Sequence, residues 1–373
     1  MNKAPTDRQP TMRVTGIIIF ALGLSLLTAV SARVHAEGSQ DFGVVLMYQH
    51  VSDSKPRSTS VPPEAFEHHL QYLLDNDFNV MPLQDMLASL NNGDALPERA
   101  VALTFDGAYA SVYEEAFPRL RSIDYPFTVF VSPHHIDRGR PEHMTWEQLR
   151  AIADAGNSMG NHTLSHTNLV RIRTDRDTDE WETAVRQEVM AAQARIEERA
   201  GNAIRVLAYP YGESDARLEA LIADLGFTGM GRHAGAIGSD APVLSLPRHA
   251  IAMGNADLDN FSLRVRSRPL PIDVLSPSDR MLAADADNPV LELRLQSREP
   301  DIDTVNCFAS IPGGVDVERD ADTGTLRLQA NNTLPPGRST YSCTAPVPGV
   351  RGAFYWYSHL WIKPQADGTW PAD

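Results

Sequence analysis

Two histidines four residues apart, His162 and His166 in "NHTLSH", and an isolated acid, Asp106 at the end of "VALTFD", are the residues best suited by type to do chemistry. Neutral imidazoles at that spacing can meet one metal ion, each nitrogen about 2.0–2.1 Å from it. A nearby carboxylate can take a proton from water. Taken alone, His-x-x-x-His equally describes two surface histidines in a polar loop. Position favours the metal, because "NHTLSH" follows a strand end in step with the strand that ends in Asp106. Other polar residues stand at strand ends in the same way. His50 closes "VVLMYQH", His134 and His135 follow "FTVFVSP", Tyr211 lies in "YPYG" and His249 in "LPRH". In a barrel of parallel strands, reactive groups gather at the C-terminal ends of the strands.

The elements that must position these residues can be read from periodicity. Apolar runs such as "GVVLMYQHV", "AVALTFD", "PFTVFVS" and "RVLAYPYG" read as strands. Segments such as "PEAFEHHLQYLLDN" and "DEWETAVRQEVMAAQARIEERAG" read as helices. In "TWEQLRAIADAG", Thr145 is a plausible cap and Gly156 a stop. Strand–helix alternation means parallel strands with crossover helices, so the expected class is α/β. About seven units favour a distorted (β/α) barrel. No Gly-x-Gly-x-x-Gly follows a strand, which argues against a dinucleotide fold. Proline-rich 266–285 reads as a linker. From 286 to 373 short strands between turn residues predict a small all-β sandwich. Its aromatic strand "FYWYSHLW" is either core packing or a platform for sugar rings.

Residues 1–36 read as a signal peptide: a basic start, a short apolar run, and Val34-His35-Ala36 as a cleavage site. The alternative is a retained membrane anchor, the one route to a membrane that this sequence offers. The expectation is therefore an exported protein, periplasmic or extracellular. Removing that segment takes away four bases and one acid, so the formal charge moves from −15 to about −18. Such an acidic chain is a poor partner for nucleic acid or an anionic membrane. The two cysteines, Cys307 and Cys343, are expected to pair in an exported protein. On the chain-entropy view the bond stabilises by roughly 3–4 kcal/mol.

"LTFDGAY", "NHTLSH" and "YPYG", in this order, resemble the polysaccharide deacetylases with a NodB-type domain (carbohydrate esterase family 4). "VVLMYQHVSD", "PEAFEHHLQYL" and "PFTVFVSP" resemble the exported branch that acts on the poly-N-acetylglucosamine of biofilms. The similarity covers about residues 43–255, which assigns 37–265 to the barrel. It implies metal-dependent hydrolysis of N-acetyl groups from an N-acetylated polysaccharide, with a divalent ion, zinc, as cofactor. By position, Asp106 matches the general base and His162 and His166 the metal ligands. The backbone N–H of Tyr211 matches an oxyanion donor, and His249 is taken as the acid for the departing amine.

Two positions depart from the family pattern, Thr-Phe-Asp-Asp-Gly. Gly107 stands where the ligating Asp belongs, and Ala208 where an arginine often steadies the base. The loss of a charged oxygen donor leaves three accounts open. The histidines and water hold the ion weakly; Asp106 becomes a ligand; or His134 or His135 completes the shell. Gly107→Asp is expected to raise zinc affinity and turnover together. The rival reading is a catalytically degenerate, exported carbohydrate-binding protein on the same scaffold, and a third places the activity on peptidoglycan or a xylan ester.

Overall fold

The run "AVALTFD" is apolar on both faces, and it becomes a fully buried strand inside a parallel sheet. The computed structural model describes residues 39–173, 177–286 and 288–371. The expected export segment lies outside them. No helix among the described residues is long and apolar enough to cross a membrane.

Six parallel strands lie side by side in chain order: β1 (Phe42–Tyr48), β2 (Ala100–Asp106), β3 (Phe127–Val131), β4 (Ser158–Asn161), β5 (Ala203–Ala208) and β6 (Thr228–Met230). The segment after β6 curls the sheet on itself. Leu246 bridges Met230 in parallel, and β7 (His249–Ala250) then pairs with Leu46 and Met47 of β1. The result is the distorted α/β barrel that strand–helix alternation predicts.

Strand parity decides what faces inward. On β2, Val101, Leu103 and Phe105 pack into the cluster that includes Phe66, Leu70 and Leu149 of the outer helices. Ala100 and Ala102 belong to the opposite face, packed with Val45, Phe130 and Met230. Thr104 and Asp106 share that second parity, so the carboxylate turns toward the barrel interior. Helix Trp146–Asp154 starts with the expected cap: Thr145 accepts from the Gln148 N–H, and Gln148 accepts from the Thr145 N–H.

Beyond the barrel lie two four-stranded sheets. One contains β10 (Asn306–Ala309), β13 (Gly337–Pro346) and β14 (Phe354–Lys363). The other contains β8 (Ile272–Ser276), β9 (Val290–Leu295), β11 (Val315–Asp320) and β12 (Thr325–Ala330). Leu291, Leu293, Leu326, Leu328, Tyr341 and Trp361 form the core between them. Cys307 and Cys343 are register partners on β10 and β13 and form the expected disulfide.

The stretch expected as a linker is not one. Arg268–Pro269 pairs with Tyr355–Trp356, and β8 is an edge strand against β9. Prolines that suggested a linker are tolerated here because an edge strand has one side free of ladder hydrogen bonds.

Candidate active site

At the C-terminal end of β2, Asp106 is nearly buried and meets Arg248 in a two-pronged ion pair. Nη1 donates to Oδ1 at 2.7 Å and Nη2 to Oδ2 at 2.8 Å. Arg248 is wholly buried. Its Nε donates to the Gly231 carbonyl at 2.9 Å, and its guanidinium lies 5.3 Å from the centre of the Phe130 ring. Such a fork fixes the carboxylate in plane. Burial opposes ionisation of Asp106, but the Arg248 charge, His162 and the Arg248 hydrogen bonds outweigh it. Its pKa falls below the ordinary carboxylate value, and the group is charged at neutral pH.

His162 follows β4 and is buried. Its Nδ1 lies 2.7 Å from the Ala208 carbonyl, an acceptor, so Nδ1 carries the proton and Nε2 presents a bare lone pair. The His166 ring stands 4.7 Å from that of His162 and 5.0 Å from that of Tyr211. Burial, with neighbouring imidazoles, lowers His166 to about 3, and burial also lowers His162. Both rings are therefore neutral at neutral pH. The loops that carry these groups hold Ala108, Thr163, His166 and Tyr211 at positive φ. That conformation is uncommon outside glycine and marks backbone held by its surroundings.

A groove of about 360 Å³ opens beside them, lined by His50, Tyr109, His135, His143 and His166 among others. Rings run along it face to face. His50 stacks on Tyr109 at 3.7 Å, Tyr109 on His143 at 4.8 Å and His143 on His135 at 4.7 Å. Burial, Lys55 and His143 lower His50 to about 4.

The structure thus brings Asp106, His162, His166 and Tyr211 together. It does not bring His249. The register of β7 sets His249 beside Leu46, on the outer parity of β1, so Arg248 takes the inner side. His249 instead meets Ser267 Oγ at 2.8 Å and the Trp356 ring at 5.2 Å. His50, His135, His143 and His166 are the imidazoles on the groove wall. Of the two substitute ligands considered, His135 lines the groove and stacks on His143, whereas His134 is absent from its lining.

Arg248 is the residue that sequence reasoning missed. Ala208 has no arginine to offer Asp106, and Arg248, the residue just before β7, pairs with it instead; the signal was the basic residue in "LPRH", one place before the histidine chosen. Arg338 of β13 is a second. Its guanidinium lies 5.3 Å from the Tyr211 ring centre and donates to Glu213 Oε1 at 2.8 Å.

The donor set does not fit a three-ligand ion. Among the described residues no three histidine, cysteine or acidic side chains converge as a metal-holding group. Arg248 occupies both oxygens of Asp106, and Gly107 has no side chain to offer. A Cβ at Gly107 would stand 2.6 Å from Tyr109 Cε2, and the backbone there has φ +98°. The Tyr109 ring fills the space that a carboxylate would need.

A family model described as polysaccharide deacetylase matches residues 93–230. A Bacillus subtilis (strain 168) protein named as a polysaccharide deacetylase, YxkH, is 31% identical over 125 residues, 34% of this chain and 43% of that protein. The poly-beta-1,6-N-acetyl-D-glucosamine N-deacetylase of Escherichia coli (strain K12) is 23% identical over 322 residues, 77% of this chain and 46% of that protein. The chain thus spans less than half the length of these curated relatives. The solved structure of IcaB from Ammonifex degensii overlays with a TM-score of 0.50 at 25% identity, covering 58% of this chain and 94% of that one. Residues 93–230 are thus similar to the polysaccharide deacetylases, the family whose model they match.

Proposed function

We propose that the chain is an exported polysaccharide N-deacetylase acting on poly-N-acetylglucosamine. The observation that carries this reading is the charged Asp106, locked by Arg248 and facing His162 and His166. A relative named for that activity aligns over most of the chain and supports the choice of substrate.

Asp106 accepts a proton from a water that attacks the acetyl carbonyl carbon. The tetrahedral oxygen is met by the backbone N–H of Tyr211, as the family resemblance implies. The C–N bond then breaks, the sugar nitrogen takes the proton held on Asp106, and acetic acid leaves, to ionise in solvent. Neutral His50, on the groove wall, is positioned to hydrogen-bond the departing nitrogen rather than to act as a protonated acid. The implied zinc enters only as a loosely held ion at His162 and His166, and no step passes through it. The two four-stranded sheets that follow the barrel serve as an accessory module.

A second reading, a sugar-binding protein without catalysis, is favoured by one observation: the Tyr109 ring fills the place beside Gly107. Metal analysis of the purified protein, paired with release of free amines from a β-1,6-linked N-acetylglucosamine oligomer, separates the two. Amine release supports the enzyme; binding without release supports the second reading.

A further inference from the structure

The chain leaves β2 through two residues of positive φ, Gly107 at +98° and Ala108 at +51°, and the Tyr109 ring lies back over Gly107. Its Cζ, the carbon that bears the hydroxyl, would stand 3.0 Å from a Cβ at Gly107. The phenolic oxygen therefore lies in the space that a carboxylate at position 107 would enter. Neighbours fix the ring there. His50 stacks on it at 3.7 Å and His143 at 4.8 Å. The Tyr109 backbone bridges that of His143, and His143 Nδ1 donates to the Gly107 carbonyl at 2.8 Å.

The hydroxyl has no task in the fold. It makes no hydrogen bond among the described residues, and it is not one of the buried polar atoms without a partner, so it is open to the groove that the ring lines. Burial raises its pKa, and so do Asp106, Glu142 and Tyr211 nearby; the phenol keeps its proton at neutral pH. It is a fixed donor without an acceptor.

Polarity decides which acceptor suits it. A carboxylate at position 107 would offer lone pairs to a cation, whereas a phenol offers a positively polarised hydrogen to an oxygen. In amide hydrolysis the oxygen that gains charge is that of the acetyl carbonyl, and a Lewis-acidic ion serves there by supplying positive charge. Preorganised O–H and N–H donors do the same work.

We propose that Tyr109 is a further catalytic residue: its hydroxyl donates to the acetyl carbonyl oxygen, beside the backbone N–H of Tyr211, so that this chain deacetylates without a divalent ion. The role rests on the N-deacetylase reading. As the water oxygen bonds to the carbonyl carbon, Asp106 takes the water's proton and the C=O π pair moves onto oxygen, where the two donors meet it. The pair returns as the C–N bond breaks, and Tyr109 keeps its own proton throughout.

Tyr109→Phe removes one oxygen that the fold does not use and keeps the stacked ring, so its Tm should match that of the wild type. The full chain is dialysed against a chelator and given a β-1,6-linked N-acetylglucosamine oligomer. The wild type should release amine and acetate at its undialysed rate. Tyr109→Phe should lower kcat by about a hundredfold, with KM changed by no more than about twofold. A readout free of turnover is calorimetric affinity for the same oligomer with one acetamide replaced by a methylphosphonamidate, whose oxygens copy the tetrahedral intermediate. Tyr109→Phe should weaken that affinity about tenfold or more and leave affinity for the unmodified oligomer unchanged. Wild-type release lost on dialysis and restored by zinc overturns the proposal and leaves the deacetylase reading in place. So does a Tyr109→Phe variant that keeps either wild-type kcat or wild-type affinity for the analogue. No release from the wild type in any of these conditions overturns the deacetylase reading, and the role of Tyr109 with it.

Discussion

Arg248 and Asp106 stand 142 residues apart in sequence, yet their side chains meet through two parallel hydrogen bonds inside the barrel. One closes the curled sheet beside β7 and the other ends β2, so closure of the fold and assembly of the site are the same event. Arg248→Ala leaves a buried carboxylate unpaired. The expected loss of stability is on the order of 3–5 kcal/mol, read by urea unfolding. Arg248→Lys keeps the charge but loses the planar fork, and should retain more stability than activity. Equal retention of both would show that the fork does not orient Asp106.

Restoring the missing acid is a less simple repair than the sequence suggests. At Gly107, φ is +98° and the Tyr109 ring lies against the position of a Cβ. Gly107→Asp should lower stability by about 1–3 kcal/mol from backbone strain alone. Zinc affinity should rise by at least tenfold only when Tyr109→Ala is added. Calorimetric zinc titration of the single and double variants measures this, and tight binding by the single variant would mean that Tyr109 yields easily.

Acid should destabilise the fold through buried histidines outside the catalytic groove. Burial lowers His249 and His359 to about 3, well under the unfolded value near 6.5. The unfolded chain therefore binds more protons between those values. The stabilisation is fully present above pH 6.5 and is lost as pH falls from there toward 3. Each group contributes a slope of about 1.4 kcal/mol per pH unit. Urea midpoints from pH 7 to pH 4.5 should fall steadily, and His359→Gln should flatten the slope. A flat profile in the wild type would mean that these rings are protonated when folded.

Arg338 reaches from β13 to Tyr211 and Glu213, while Arg171 also pairs Glu213, at 2.6 Å. Arg338→Ala should therefore leave Tm nearly unchanged and raise KM several-fold with a smaller change in kcat, as for a positioning residue. A large fall in Tm would assign Arg338 to structure alone.

How far the sequence disclosed this arrangement depended on how local each signal was. That Asp106, His162 and His166 lie near one another could be expected from a strand end and a four-residue spacing, which are short-range patterns. The barrel followed from alternation, and the disulfide from having only two cysteines in a chain expected to be exported. Arg248 was hidden because its role depends on a register between β7 and β1 that no local pattern encodes. The choice of His249 failed for the same reason, since one residue of register exchanges inside for outside. The reading of 266–285 as a linker failed because edge strands and linkers both tolerate proline. Occupation of the Gly107 site by Tyr109, two residues on, appears only in three dimensions.

The catalytic reading rests on Asp106 as a base held ready by Arg248. Its most direct test is release of free amines and acetate from a β-1,6-linked N-acetylglucosamine oligomer, comparing the wild type with Asp106→Asn shown to be folded by circular dichroism. Steady release by the wild type and at least a hundredfold less by Asp106→Asn is the predicted result. Equal rates from the two proteins, or no release from the wild type with and without added zinc, would contradict it.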